Sequence, residues 1–525
     1  KMLSFFSVLL AAAVPVAPPA ATAFPMRDVH LLGGPLKQSQ DLAAEYLLHL
    51  EPDRLLARYR TEAGLEKKAD NYPGWEDKEL PGVALGFYLS GSARLFATLD
   101  DQRFLDRIAY CVDELDACQQ ANGDGFLLAT RDAKKHLAEI AAGDIRLGGG
   151  WILNGEPEPY YAMEKLFSGL RDAYRFAGSE KALLIERRLG DWLDKHMACL
   201  DDAQLDAVMK VEYGGMNWVL SDLYADTGDA RYLALSRRWH DKSIEDPLAA
   251  GQDCLPGKHA NTQFPKICGL AARCPYTGDP ADRIVPEFFW DRVVHHHSYV
   301  TGGDSLAEHF GPPDRLSDRL GPATTELCNS YNMIRLTQLL FAIAPKPEYA
   351  EFAERVLFNH ILAAQHPADG RICYFLPLLD GVPRTYESLY NDFKCCTCSG
   401  LDSYAKHCDF LYMHNDDTLF VNLFAESEVT WREKGVRIVQ HTNFPDEDRA
   451  RFTFFCDQPV EFTFAPRCPA WCDEGTTITI NSQATGVSAR PGSYAALHRT
   501  WQNGTWVELR FPMSLRIEAM PDNAH

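Results

Sequence analysis

The run Phe393-Lys394-Cys395-Cys396-Thr397-Cys398 holds three thiols in four residues. Neighbouring cysteines bond to each other poorly, because so short a ring strains disulfide geometry. The run therefore suits a soft metal or a reactive thiolate, or else cysteines packed as small inert hydrophobes. Upstream, Glu326 and Cys328 lie two residues apart, on one side only where the backbone is extended. Glu326, Cys328, Cys395 and Cys396 together offer one oxygen and three sulfurs. That donor set suits a tetrahedral zinc ion, although the spacing is not that of a zinc ribbon.

Two further polar stretches precede the thiols. His295-His296-His297 cannot all face one ion on a regular element, so they are set aside as a metal site. Gly302-Gly303 lets the backbone approach a ligand closely, and Glu308 beyond them is an acid/base or a solvated carboxylate. In Leu255 to Gln263, the side chains of His259, Asn261 and Gln263 alternate, fit to grip hydroxyls or to cap a polar turn.

The 525 residues are too many for one ordinary core. The net charge of −21 argues against nucleic acid and anionic membranes as partners and fits a neutral substrate. Leu3 to Val16 is apolar, and Ala21-Thr22-Ala23 reads as a small-x-small cleavage site. Residues 1–23 are thus expected to be a secretory signal, and the protein to be exported, periplasmic or extracellular. No other run of about 18 apolar residues suggests a membrane span. The fifteen cysteines are odd in number; Cys468 and Cys472 are a local disulfide or two core residues.

From Gln40 to about Cys408 the apolar spacing is helical, as in Phe104, Ile108, Cys111 and Leu115, a helix expected to end near Asn122-Gly123. Leu170-x-Asp172-x-Tyr174-x-x-x-Gly178 is echoed by Leu220-x-Asp222-x-Tyr224-x-x-x-Gly228. Each copy predicts a helix, a glycine stop, a Ser179 or Asp229 N-cap, and a second helix. Such hairpins must stack on neighbours. Long connections rich in Gly, His, Trp and Tyr favour a closed toroid, with a pocket at one rim, over an open solenoid. After about Asp417, Phe452, Phe454, Phe462 and Phe464 alternate as strands, and Asn503-Gly504 signals a hairpin. The expected fold is multi-domain, an (α/α)6 toroid barrel over 24–416 followed by an antiparallel β-sandwich over 417–525. The sequence stops just after a strand, consistent with a truncated C-terminus.

Several stretches resemble the β-L-arabinofuranosidases of glycoside hydrolase families 127 and 146. They are Gly214 to Asn217, Leu223 to Asp229, Pro256 to Gln263, Gly302 to Phe310, Glu326 to Asn332, and Cys395-Cys396-Thr397. The resemblance implies an (α/α)6 barrel, zinc held by Glu326, Cys328, Cys395 and Cys396, Cys395 as nucleophile, and Glu308 as acid/base. It implies retaining hydrolysis of an arabinose-containing oligosaccharide or glycan, with His259 and Asn261 lining the sugar pocket. Tyr161, Trp290 and Tyr331 are aromatic candidates for its walls, or core packing. The sequence departs from the family pattern at Val83, Phe87 and Glu164, where histidines are usual. Glu164 could bind a hydroxyl, act as a rival acid/base, or face solvent, and Cys398 is an accessory thiol or a neutral replacement. Two alternatives are a polysaccharide lyase, which also joins a toroid to a sandwich, and a non-catalytic carbohydrate-binding protein with a structural zinc.

Overall fold

The computed structural model describes residues 12–472, 475–487 and 489–523. The expected signal lies outside the described residues up to position 11. At the expected cleavage site, Thr22 and Ala23 pair antiparallel with His414 and Met413.

Six helices close a ring: Val83–Leu99, Pro159–Ala177, Met216–Thr227, Phe264–Thr277, Leu327–Ile343 and Cys395–Ser403. Each packs on the next, and the sixth returns to the first. These inner helices are buried on most sides, as a helix inside a second layer must be. The outer layer is amphipathic. Glu180–Met197, for example, buries Ala182, Ile185, Leu189 and Leu193 and leaves its charged face in water. The result is the expected (α/α)6 toroid.

Local chemistry sets the hairpins as the repeat predicts. Pro159–Ala177 ends at Gly178 in the left-handed region, and the Ser179 side chain accepts from the Ala182 N–H to start the next helix. Met216–Thr227 ends likewise at Gly228, and Asp229 accepts from the Arg231 N–H. The first two inner helices cross where glycine is required. A Cβ on Gly86 would fall 2.1 Å from the Lys165 carbonyl oxygen, and one on Gly169 would fall 2.5 Å from that of Gly86.

The β domain is two packed sheets. Phe452 and Phe454 of one face Phe462 and Phe464 of the other, with ring centroids 5.1 Å apart for Phe452–Phe464 and for Phe454–Phe464. Three expectations are corrected. The strands begin at Tyr412 rather than 417, and Thr22–Ala23 and Val29–Leu31 of the N-terminal stretch join the sheets. One neighbour pair, Thr418–Val421 with Val460–Cys468, is parallel. Asn503-Gly504 does not make a hairpin. Leu497–Trp501 pairs with Val460–Cys468 in one sheet, whereas Trp506–Arg510 pairs with Arg449–Cys456 and Thr477–Ile480 in the other. A turn motif fixes a change of direction but not the next strand's partner. Crossing between sheets lets Trp501 stack on Phe454 at 4.2 Å while Val507 and Leu509 fill the same core.

The two domains are clamped by Arg467. Its fully buried guanidinium donates to Glu351 at 2.6 Å and to Glu354, both on the barrel helix Pro347–Val356. Buried charge persists only when paired in this way.

Candidate active site

Two inner helices start at the same place. Glu326 is the extended N-cap residue of Leu327–Ile343, and Cys328 is the second residue of that helix. Cys395 and Cys396 open Cys395–Ser403. The change from extended to helical backbone at Leu327 is what puts Glu326 and Cys328 on one side. Helix N-termini carry unpaired N–H groups and the positive end of the dipole, which favour anionic side chains there.

The donor atoms of Glu326, Cys328, Cys395 and Cys396 all lie within 4.8 Å of one another and are buried. Cys396 Sγ is 3.2 Å from Cys328 Sγ and 3.6 Å from Glu326 Oε1, and Cys395 Sγ is 3.8 Å from that oxygen. A tetrahedral ion with bonds of about 2.0–2.3 Å spaces its donors by roughly 3.5–3.8 Å. Glu326 Oε2 is buried without a hydrogen-bond partner among the described residues. The group therefore fits a metal ion. Cys398 takes no part, since its thiol donates to the Phe393 carbonyl at 3.2 Å.

Among the three clustered thiols, Cys395 is held well below the usual thiol range by hydrogen bonds from Cys328, Cys396 and Tyr374. Burial pushes Cys328 and Cys396 well up. Burial, and then the Cys395 charge, raise Glu326.

Facing the cluster is Glu308, on a loop where Ser305, Ala307 and Glu308 adopt φ of 72°, 46° and 68°. Such backbone is costly for residues with a side chain and collects at functional sites. Asn329, on the helix that carries Cys328, holds the loop by donating to Asp304 at 2.9 Å and to Ser305 at 3.0 Å. His259 Nε2 lies 3.4 Å from Glu308 Oε2. The hydrogen bonds with His259 first, and then Tyr374, hold the Glu308 carboxyl below its ordinary range against the opposing effect of burial.

Tyr374 joins the two sides. Its hydroxyl donates to Glu308 Oε1 and lies 3.0 Å from Cys395 Sγ. The ring is placed by pairing of its own segment beside Glu326: Leu327 N–H donates to the Tyr374 carbonyl at 3.1 Å, and Leu376 N–H to the Thr325 carbonyl at 3.1 Å. Sequence reasoning missed this tyrosine because it lies in an irregular stretch with no periodicity. Glu158 was missed as well. It sits at φ 39° just before the helix Pro159–Ala177, and its carboxyl is pushed up to about 9 by burial, then by Glu212 and Cys395.

The other predicted residues divide. His259 is at the site. Asn261 accepts from Asn332 at 2.8 Å, one inner helix gripping the loop before another. The buried Tyr161 ring carries the Lys165 ammonium at 4.6 Å from its centroid, and burial, then the Cys395 charge, push its hydroxyl well up. Glu164 does not face solvent. It is buried and ion-paired with Lys165 at 2.5 Å, with Ser168 donating to it at 3.1 Å. Phe87 packs 5.2 Å beneath the same ammonium, and Val83 is buried at the start of its helix.

Trp290 is not a pocket wall. Its indole N–H donates to Thr337 at 2.9 Å, and its ring is buried edge-on against Tyr349 and Phe352. Tyr331 is also core, donating to Asp402 at 2.7 Å. Gly302 and Gly303 approach protein rather than an open ligand space: a Cβ there would meet Val356, or His360 and Thr325, within 2.9 Å. His295, His296 and His297 turn to three different carboxylates, those of Asp291, Asp314 and Asp253.

Comparison with known proteins places this arrangement. The curated "Non-reducing end beta-L-arabinofuranosidase" of Bifidobacterium longum subsp. longum is 24% identical over 363 residues, 59% of this chain. The chain spans about half, 54%, of that relative's length. The crystal structure of a GH127 β-L-arabinofuranosidase from Geobacillus stearothermophilus T6 shares the fold, with a TM-score of 0.73 at 20% identity over 94% of this chain and 82% of that one. A second solved GH127 β-arabinofuranosidase gives 0.74 at 18% identity over 94% and 81%. Residues 28–409 match the family described as the β-L-arabinofuranosidase GH127 catalytic domain, and residues 418–513 its middle domain. The chain belongs to the GH127 family of glycoside hydrolases.

Proposed function

We propose that this protein is an exported retaining β-L-arabinofuranosidase, with Cys395 as nucleophile and Glu308 as acid/base. The observation that carries the reading is the shared Tyr374 hydroxyl. It places Glu308 Oε1 and Cys395 Sγ within two hydrogen-bond lengths of each other, about 5.5 Å. Retaining pairs stand about 5–5.5 Å apart and inverting pairs about 6.5–9.5 Å, so this upper limit falls on the retaining side.

Glu326, Cys328, Cys395 and Cys396 would hold the ion, and three sulfurs with one oxygen suit zinc. When bound, zinc keeps the coordinated sulfur deprotonated at neutral pH. Glu308 acts in its protonated form, which the His259 and Tyr374 hydrogen bonds disfavour in the free site, and gives that proton to the leaving oxygen as the Cys395 sulfur forms a bond to the anomeric carbon and the glycosidic C–O bond breaks. Glu308, now a carboxylate favoured by His259 and Tyr374, takes a proton from water. The water oxygen displaces the Cys395 sulfur and releases the sugar. Tyr374 holds the two reacting groups in register throughout. A purely structural metal gives no reason for Glu308, His259 and Tyr374 to converge on one of its ligands.

The test is metal analysis of the purified protein together with a screen of aryl furanosides and pyranosides, following the first-formed anomer by NMR. The expected result is near one zinc per chain and cleavage of a β-L-arabinofuranoside with retention. An inverted first product overturns the double displacement, and turnover of no furanoside overturns the hydrolase reading. Export rests on the apolar leader. Recovery of the full-length native protein only from the cytoplasm overturns it.

A further inference from the structure

A groove of about 490 Å³ opens against the Glu308 side of the site. His259 belongs to both, forming part of the groove wall and reaching Glu308 Oε2 at 3.4 Å. In a double displacement the leaving oxygen lies against the acid/base and the nucleophile lies on the opposite side of the anomeric carbon. The departing group must therefore run out past Glu308, along His259. The groove shares His259 with that path.

Its lining is that of a sugar site. Trp151 stands at its edge with 43% of its surface exposed, its ring 5.0 Å from His259 and at 74° to it. An exposed indole beside a cleft offers a flat apolar face to a pyranose ring and an N–H to its hydroxyls. Gln263 is 6% exposed, lines the groove, and has a buried Oε1 with no hydrogen-bond partner among the described residues; so has His259 at Nδ1. Buried polar atoms left unpaired are costly, and a ligand's hydroxyls would satisfy them.

Its charge is unlike the rest of the chain. The walls carry four lysines, 210, 242, 258 and 266, against three carboxylates, Asp206, Glu212 and Asp241. The whole chain has a net charge of −21. Lys242 is engaged by Asp206 at 2.8 Å and Lys266 by Asp241 at 2.9 Å. Glu212 accepts from the Gly214 N–H at 2.8 Å. Lys210 and Lys258 have no acidic partner among the described residues, and Lys258 is next in sequence to His259. Unpaired cations in a concave wall favour an anionic ligand.

Resting on the hydrolase reading for its orientation, we propose that this groove is the leaving-group subsite and that it takes a uronic acid. The ring would lie on Trp151, and Lys258 and Lys210 would supply charge for the carboxylate. The glycone pocket then handles a neutral sugar while the adjoining subsite selects an acidic one.

The experiment is a calorimetric titration of the full-length protein with digalacturonate, its methyl ester, and the neutral digalactoside. The wild type, Trp151→Ala and the double variant Lys210→Gln/Lys258→Gln are compared. The expected result is binding of digalacturonate at least tenfold tighter than of the ester or the neutral sugar. Each variant should lose about tenfold, and the lysine variant should also lose the discrimination. Equal binding of acid and ester, or discrimination unchanged in the lysine variant, overturns the proposal. Aryl β-L-arabinofuranoside turnover is measured on the same wild-type sample. Turnover without selective uronate binding sinks the subsite alone. Selective uronate binding without turnover sinks the hydrolase reading and leaves an acidic-sugar site.

Discussion

The two sides of the site are built in opposite ways. On one side Glu326, Cys328, Cys395 and Cys396 stand at the first residues of two inner helices, buried and held by the closed ring. On the other, Glu308 stands on a loop with three residues of positive φ, Ser305, Ala307 and Glu308 itself, its side chain 31% exposed and its partners His259 and Tyr374 drawn from other loops. The nucleophile's side cannot be altered without disturbing the core. The acid/base side is a surface loop whose strain is offset by Asn329 and by backbone pairing. The contrast teaches that one wall couples chemistry to folding and the other does not.

The most severe way to break that contrast is on the nucleophile's side. Cys395→Ser should lower turnover by about 10⁴ or more, because the hydroxyl is a far poorer nucleophile at neutral pH. Cys328→Ser should lose bound metal and also lower the melting temperature, since it opens a buried cluster. If Cys328→Ser melts as the parent does and keeps its metal, the coupling of chemistry to folding on this wall is wrong.

On the opposite wall, Glu308→Gln should keep the parent's metal content and melting temperature while losing activity by about 10²–10⁴ on alkyl glycosides. The loss should shrink on activated aryl glycosides for the first step only. Equal loss on both classes in both steps would mean that Glu308 binds substrate rather than transferring a proton.

The same contrast explains what could be read from sequence. The helical hairpins were legible because Gly178 with Ser179, and Gly228 with Asp229, mark a stop and a start in the chain itself. The metal cluster was legible because thiols are few in kind and rich in chemistry. Tyr374 was not, since its role depends on a strand-like pairing with Glu326 that no local pattern announces. Trp290 misled for the converse reason: an indole that packs between helices and one that packs on sugar have the same local sequence. Asn503-Gly504 predicted a turn correctly and its strand partner wrongly, because pairing is decided by the core that Trp501, Val507 and Leu509 fill.

A smaller effect is expected where the two walls meet. Tyr374→Phe removes the hydroxyl shared by Glu308 and Cys395 but keeps the ring in place. The single hydroxyl proton, given to Glu308 with Cys395 in contact with the same oxygen, is lost, so turnover should fall by about tenfold to a hundredfold. Metal content should not change. A shift in the pH–rate profile, rather than a uniform drop, distinguishes loss of the Tyr374 link from loss of packing. An unchanged profile and rate would remove Tyr374 from the mechanism.

The smallest effect belongs to neither wall, and it is needed to keep the two apart at low pH. Burial holds His196 down to about 4 and His407 down to about 3. His196 is stacked on Trp192 and bonded to Tyr160 at 2.7 Å, and His407 is bonded to Ser39 at 2.9 Å. Both are neutral in the fold, whereas in the unfolded chain each takes a proton below about pH 6.5. The unfolded state therefore binds more protons in this window, and stability falls as pH drops from about 6.5 toward 4. Each histidine should cost about 2 kcal/mol at pH 5 relative to pH 7.5. Urea midpoints measured at the two pH values should differ less in His407→Gln and His196→Gln than in the parent. With those slopes known, an acid loss of activity that exceeds the loss of folded protein is assigned to Glu308 and its partners. If both variants keep the parent's slope, the low-pH instability arises elsewhere, and the acid limb of the rate profile cannot be divided between scaffold and site in this way.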